Sequence, residues 1–152
     1  MMQRYRPNTT VACVIHSQGQ FLLVEEIING KHCFNQPAGH LEANESIEQA
    51  CLREVFEETG LKVTLSGLIK VYQFTAQDGT AFVRFTFAAE LAMQQSCVPN
   101  DPAIKACHWF SYEQLKQNNL QLRSPLVCQS IDDYLLQADN MPPLSLLSSA
   151  FL

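Results

Sequence analysis

Short runs of alternating, β-rich residues open the chain, and a helical period follows them. Thr10 to His16 (TVACVIH) and Phe21 to Ile27 (FLLVEEI) flank a Ser17-Gln18-Gly19 turn and predict a hairpin. Asn29-Gly30 is a second turn signal, leading into a short extended piece around His32 to Asn35. Pro37 and Gly39 are expected to stop regular structure there. The period then becomes helical from near Asn44 or Ser46 to Thr59. Ser46 and Gln49 have capping-box spacing, and Gly60 stands where a helix C-cap belongs. Leu52, Val55, Phe56 and Thr59 are expected to share one face and pack on a sheet. Leu68 to Phe74 and Phe82 to Leu91 predict two longer strands around a Gln77-Asp78-Gly79 loop, and Lys105 to Phe110 another. Tyr112 to Asn118 reads as a short helix. Ser124 to Ala138 reads as a full one, with Ser124 as N-cap and Pro125 at its first position. Strands, helix, strands and helices in this order imply an α/β fold, a mixed sheet covered by helices. The apolar tail after Asn140 (LSLLSSAFL at its end) fits packing on the body, a dimer contact or fraying equally well.

Composition narrows the class. The 152 residues are 47% hydrophobic and 16% charged, as in a globular chain, and fit one domain with a real core. The formal charge of −5 argues against duplex nucleic acid as a partner, because a phosphate backbone requires a basic footprint. No apolar run reaches the length of a membrane span, so no membrane partner is expected. The six cysteines are spread singly with no CxxC, which suits a reduced, cytoplasmic protein better than a zinc or disulfide framework.

The chemistry concentrates between Gly39 and Leu61. At about a hundred degrees per residue, Glu54, Glu57 and Glu58 fall on one stripe of the helix. Each close pair of carboxylates repels by about 1 kcal/mol in water and roughly 4 kcal/mol near a protein surface. A divalent cation is the usual compensation, and all-oxygen ligands favour Mg²⁺ or Mn²⁺ over zinc. One local cation also reconciles an acidic chain with a small phosphate substrate. These residues therefore point to a metal-dependent enzyme acting on phosphates.

The same residues carry a family resemblance. Gly39, five residues, Glu45, seven residues, then Arg53-Glu54-Val55-Phe56-Glu57-Glu58-Thr59-Gly60-Leu61 is similar to the Nudix box at every fixed position, with Val55 and Leu61 at its apolar places. The resemblance implies an α/β/α sandwich with a mixed sheet and a loop-helix-loop catalytic segment. It implies hydrolysis of a nucleoside diphosphate linked to another group, with Mg²⁺ as cofactor and Mn²⁺ as substitute. Glu54, Glu57, Glu58 and the Gly39 carbonyl are the implied metal ligands. Arg53 would orient the glutamates, with Glu54 the first candidate for general base and Glu42, Glu45, Glu90 and Glu113 open alternatives. TVACVIH, FNQPAGHLE (34–42), VRFTF (83–87) and LRSPLV (122–127) further resemble a group of bacterial Nudix phosphatases. That group removes orthophosphate from nucleoside tri- and diphosphates and acts on the pyrophosphate of the thiamine pyrimidine. A pyrophosphohydrolase of another nucleoside-diphosphate-linked substrate, or a non-catalytic nucleotide sensor, is the alternative. Where some members place a carboxylate just before a late-strand tryptophan, this chain has His108 before Trp109.

Outside the box, Phe34, Gln36 and Arg84 are the expected substrate contacts. Arg84 lies mid-strand on the face of Phe82 and Thr86, where a charge requires a partner: a substrate phosphate or a box glutamate. Tyr72, Phe74 and Trp109 are further candidates to stack on a base, or else core. Arg123 reads as a loop-fixing residue, and His16, His32, His40 and His108 form no spaced ligand set. A small nucleotide or pyrophosphate is the expected partner, taken up by a monomer or homodimer.

Overall fold

The structure is a computed structural model that describes residues 1–117 and 119–152. The first strands are β1 (Asn8–Ser17), β2 (Gln20–Ile28), β3 (Lys31–Asn35) and β4 (Ala38–His40), followed by helix α1 (Ile47–Thr59). Then come β5 (Gly67–Thr75), β6 (Ala81–Glu90), β7 (Ile104–Ser111), α2 (Tyr112–Lys116), α3 (Leu126–Gln137) and a 3₁₀ turn at Leu144–Leu146. The end of the short helix expected at Asn118 lies outside the described residues. Among the described residues no helix is long and apolar enough to cross a membrane.

Two tight turns set the strand registers. Gln18 and Gly19, then Asn29 and Gly30, have φ of 51°, 77°, 50° and 75°, the left-handed pair that a two-residue hairpin turn requires. The first turn joins β1 to β2 only at its base, through Ser17↔Gln20 and His16↔Phe21. Beyond that point the strands part. β1 takes β4 as an antiparallel neighbour and β6 as a parallel one. β2 takes β3 and β7, both antiparallel. β6 also pairs with β5, completing a mixed seven-stranded sheet.

Alternation along β1 splits the core into two layers. Val11, Cys13 and Ile15 meet α1 through Ala50, Cys51 and Val55, with Phe87 and Ala89 from β6. Val14, with Phe21, Leu23 and Ile69, meets α2 and α3 through Leu115, Val127, Ile131 and Tyr134. Helices on both faces of a mixed sheet make the expected α/β/α sandwich.

Several local expectations change. Regular structure does stop at Pro37, since β3 ends at Asn35, but it resumes at once through Gly39, because Ala38, Gly39 and His40 pair with Ala12, Val11 and Thr10 as β4. On α1, Val55 and Thr59 are buried as expected, but Leu52 and Phe56 are 37% and 41% exposed. Ala50 and Cys51 join Val55 on the sheet-facing side instead, packing with Val11, Cys13 and Ile15 of β1. At α3, Pro125 is already helical in φ and ψ and the Ser124 hydroxyl accepts from the Leu126 N–H, so the expected cap holds with the helix assigned one residue later. The tail packs on the α1 side through Leu144 and Leu147, while Phe151 and Leu152 stay exposed.

Candidate active site

The end of α1 lies where β1 and β4 diverge from β2 and β3. Ser46 opens the helix with a full capping box: its hydroxyl accepts from the Gln49 N–H, and Gln49 Oε1 accepts from the Ser46 N–H. Gly60 closes it at φ 74°. The glutamates are thus held in register from both ends.

Arg53 is the hub of the site. Its Nε and Nη2 donate to both oxygens of Glu45 at 2.9 and 2.8 Å, a bidentate pair. Nη2 also donates to the His40 carbonyl at 2.9 Å, and Nη1 to Glu54 Oε1 at 2.8 Å and Glu57 Oε2 at 3.3 Å. The Arg53 bonds hold the Glu45 carboxyl below its ordinary range. Glu45 is therefore committed to the loop–helix junction. Glu42 lies further out, with a 67% exposed side chain.

The three helix glutamates do not share one environment. Glu57 is half-exposed and Glu54 mostly covered, whereas Glu58 is buried. The uniform outward stripe expected of them is thus broken, because Glu58 turns under β4 toward the sheet. There it accepts from the Ala38 N–H at 3.3 Å. Burial pushes Glu58 up to about 9, against that hydrogen bond and helped by nearby Glu54, Glu26 and Asp101. Burial also raises Glu54, against the pull of Arg53. Gly39 makes room for this arrangement: a Cβ built on it would fall inside 3.0 Å of all three carboxyl atoms of Glu54.

Burial raises Glu58 and Glu54 while Glu57 stays open to solvent, so the three offer oxygen donors of the kind that Mg²⁺ or Mn²⁺ would take. Among the described residues no three such side chains already converge on one coordination point. Arg53 engages Glu54 and Glu57 instead.

Arg84 stands on the opposite face of the same strands. Its cross-strand neighbours are Thr10 on β1 and Tyr72 on β5. Nε donates to Thr10 Oγ1 at 3.1 Å, and the guanidinium lies 5.4 Å from the centre of the Phe74 ring. The salt bridge to a box glutamate considered for it does not form. Burial lowers its basicity, with Arg123 adding repulsion and Glu58 a partial attraction. Phe74 stacks on Phe82 at 5.0 Å and 15°, so a flat aromatic pair borders the guanidinium.

Other expected contacts lie deeper. Phe34 is 9% exposed and packs edge-on against His108 and Phe110. Gln36 is 3% exposed, and its amide donates to the Val127 carbonyl at 2.8 Å, tying the link between β3 and β4 to α3. The Tyr72 hydroxyl donates to Asp133 at 2.6 Å, and Trp109 packs in the α1-side core. Among the alternative bases, Glu90 accepts from Tyr134 at 2.5 Å and pairs with His16 at 2.7 Å, at the far end of β1 from Gly39. Glu113 is exposed in the first turn of α2. Thr10, which orients Arg84, carries no signal of its own in the sequence, since only the parallel pairing of β1 with β6 brings residues 10 and 84 together.

Known proteins align with this geometry. A family model described as the NUDIX domain matches residues 4–128. Phosphatase NudJ of Escherichia coli strain K12 is 46% identical over 143 residues, covering 94% of this chain and 92% of that protein. Among solved structures, a NUDIX hydrolase from Nitrosomonas europaea has a TM-score of 0.84 at 42% identity, covering 94% of this chain and 97% of its own. The NUDIX domain of Shewanella oneidensis NrtR, complexed with ADP ribose, shares the fold alone: TM-score 0.72 and 18% identity, over 87% of this chain and 90% of that one.

Proposed function

The chain belongs to the NUDIX family of hydrolases, and from that premise we propose that it is a phosphatase of nucleoside tri- and diphosphates that releases orthophosphate with Mg²⁺. The observation that carries the reading is a box glutamate and a strand arginine that, among the described residues, each lack an oppositely charged partner. Among the described residues Glu58 is buried with no cationic partner, and the partly buried Arg84 has no carboxylate partner. A metal-chelated phosphate chain meets both needs at once. The identity to NudJ supports terminal phosphate as the leaving product.

Glu54, Glu57 and Glu58, with the Gly39 carbonyl, would hold the cation, which supplies charge neutralisation and polarises phosphorus when bound. Arg53 Nη1–H fixes Glu54 by Oε1, leaving Oε2 to take the proton from the attacking water. The same guanidinium restrains Glu57 and, through Glu45 and the His40 carbonyl, locks the loop against the helix. Arg84 Nη groups, with no protein acceptor among the described residues, donate to substrate phosphate oxygens, and Thr10 aims them. The Phe74–Phe82 pair offers a stacking surface for a nucleobase or pyrimidine ring.

The test is product identification. Purified protein with Mg²⁺ receives ATP, GDP and the thiamine pyrimidine pyrophosphate in parallel, beside Glu57→Gln. Orthophosphate from the wild type alone is the expected result, and relative rates rank the substrates. Pyrophosphate with a nucleoside monophosphate would keep the family chemistry and overturn the phosphatase assignment.

A further inference from the structure

The last carbonyls of α1 require donors from outside the helix. Phe56 O accepts from the Gly60 N–H at 2.8 Å and the Asn100 side-chain amide at 3.0 Å. Glu57 O accepts from the N–H groups of Asn100 and Asp101, both at 2.8 Å, and Thr59 O from Val98 at 2.9 Å. The remaining one, Glu58 O, accepts from the Cys107 thiol on β7 at 3.6 Å. A four-residue loop and one thiol therefore hold the helix end that carries Glu57 and Glu58.

Cys107 has a second neighbour. Beside it lies Cys97, which immediately precedes the same loop. Both residues are half-buried and line one open surface pocket with Gln94, Gln95, Ser96 and Trp109. The Cys107 S–H is given to Glu58 O, with the Cys97 thiol next to it at the pocket wall. The neighbouring Cys107 holds the Cys97 thiol below its ordinary range, which favours Cys97 as the attacking sulfur. Cys13 and Cys51 are also neighbours, but at 0% and 1% exposure no oxidant reaches them in the folded chain.

We propose that Cys97 and Cys107 form a peroxide-driven disulfide that withdraws the thiol cap from Glu58 and ties its capping loop to β7. The Cys97 thiolate attacks the O–O bond of hydrogen peroxide, giving a sulfenic acid and hydroxide, which takes up the thiol proton as water. The Cys107 thiol then attacks the sulfenic sulfur, the S–S bond forms and a second water leaves. Two thiols are oxidised by two electrons, and peroxide is reduced to two waters. Glu58 O loses its donor in the same step, so the oxidised protein binds Mg²⁺ less well and turns over more slowly. That consequence rests on the metal role proposed for Glu58; the linkage itself does not.

The full chain is treated with hydrogen peroxide, digested without reductant and mapped by mass. A peptide pair joined through Cys97 and Cys107 is expected, with Cys13 and Cys51 still free. Turnover should fall on the order of tenfold, the scale of losing a partner behind a metal ligand, and return with dithiothreitol. Cys97→Ser should keep basal turnover and lose the peroxide response. Absence of the linked peptide in the wild type overturns the proposal whatever the substrate proves to be. So does a linked protein with unchanged turnover, or a Cys97→Ser protein that still loses activity reversibly.

Discussion

Replacing Gly39 by alanine adds one carbon atom at the point where β4 meets the glutamate helix. The backbone there is not in the left-handed region, so alanine fits its φ and ψ and keeps the carbonyl in place. The new Cβ falls inside 3.0 Å of Glu54 Cδ, Oε1 and Oε2, while ordinary contact begins at 3.4 Å. These atoms end a flexible side chain, so the carboxylate retreats by about 1 Å while the fold stays. The retreat strains the Arg53–Glu54 bond of 2.8 Å, worth about 1 kcal/mol in this partly solvated setting. Lower unfolded-state entropy returns about 0.4–1 kcal/mol, so net stability barely changes. Chemistry does not tolerate the same displacement: about 1 Å at a reacting group costs on the order of a hundredfold in rate. Gly39→Ala should therefore melt with the wild type, measured without metal by circular dichroism, and lose about a hundredfold in kcat with Mg²⁺ and ATP. Wild-type turnover would refute the role given to the Glu54 position. Loss of a cooperative melt would show that the glycine serves folding instead.

Three further outcomes follow from the same geometry. Arg84→Gln should raise KM for ATP by about tenfold or more, the scale of one charge-assisted hydrogen bond, without lowering the melting temperature; an unchanged KM would remove Arg84 from the substrate site. Glu58 has its metal-free value raised to about 9, so at neutral pH the folded chain holds a proton there that the unfolded chain has released. Metal-free stability should accordingly fall as pH rises from the ordinary glutamate range toward 9. Mg²⁺ binding should release about one proton near neutrality and tighten with pH, read by calorimetry in buffers of different ionisation enthalpy; release of none would place the cation elsewhere. Gln36→Leu removes one donor from the Val127 carbonyl, which keeps the Ser130 hydroxyl, and should cost about 1 kcal/mol in a denaturant titration, whereas an unaffected midpoint with a raised KM would return Gln36 to the substrate.

What could be read from the chain alone were the features encoded within a few residues. Gly19 and Asn29-Gly30 carry their turns in their own backbone preferences, and Ser46, Gln49 and Gly60 carry both ends of α1. The box spacing placed Arg53 on Glu54 and Glu57 because those separations are local to one helix. Features set by distant partners were not legible. Three residues of β4 become a strand only because β1 offers them an edge. Leu52 and Phe56 miss their expected burial because the apolar period of α1 is broad, and the shape of the facing sheet decides which part of it is covered. Glu58 parts from Glu54 and Glu57 for the same reason. Gln36, Thr10 and the Cys97–Cys107 neighbours each depend on an element far away in sequence.

The parallel pairing of β1 with β6 sets an order of assembly. Thr10 and Arg84, which face each other across it, are 74 residues apart. The β1–β2 hairpin and the capped α1 are complete by residue 60, and both can form early from local contacts. Yet α1 packs against Phe87 and Ala89 as well as β1, and its arginine counterpart across the sheet belongs to β6. A chain emerging from its N-terminus thus carries every box glutamate before the strand that seats them exists. Closing that long loop is the slow, non-local step. In refolding experiments helix signal should precede recovery of Mg²⁺-dependent turnover, and simultaneous recovery would show that the helix itself waits for β6.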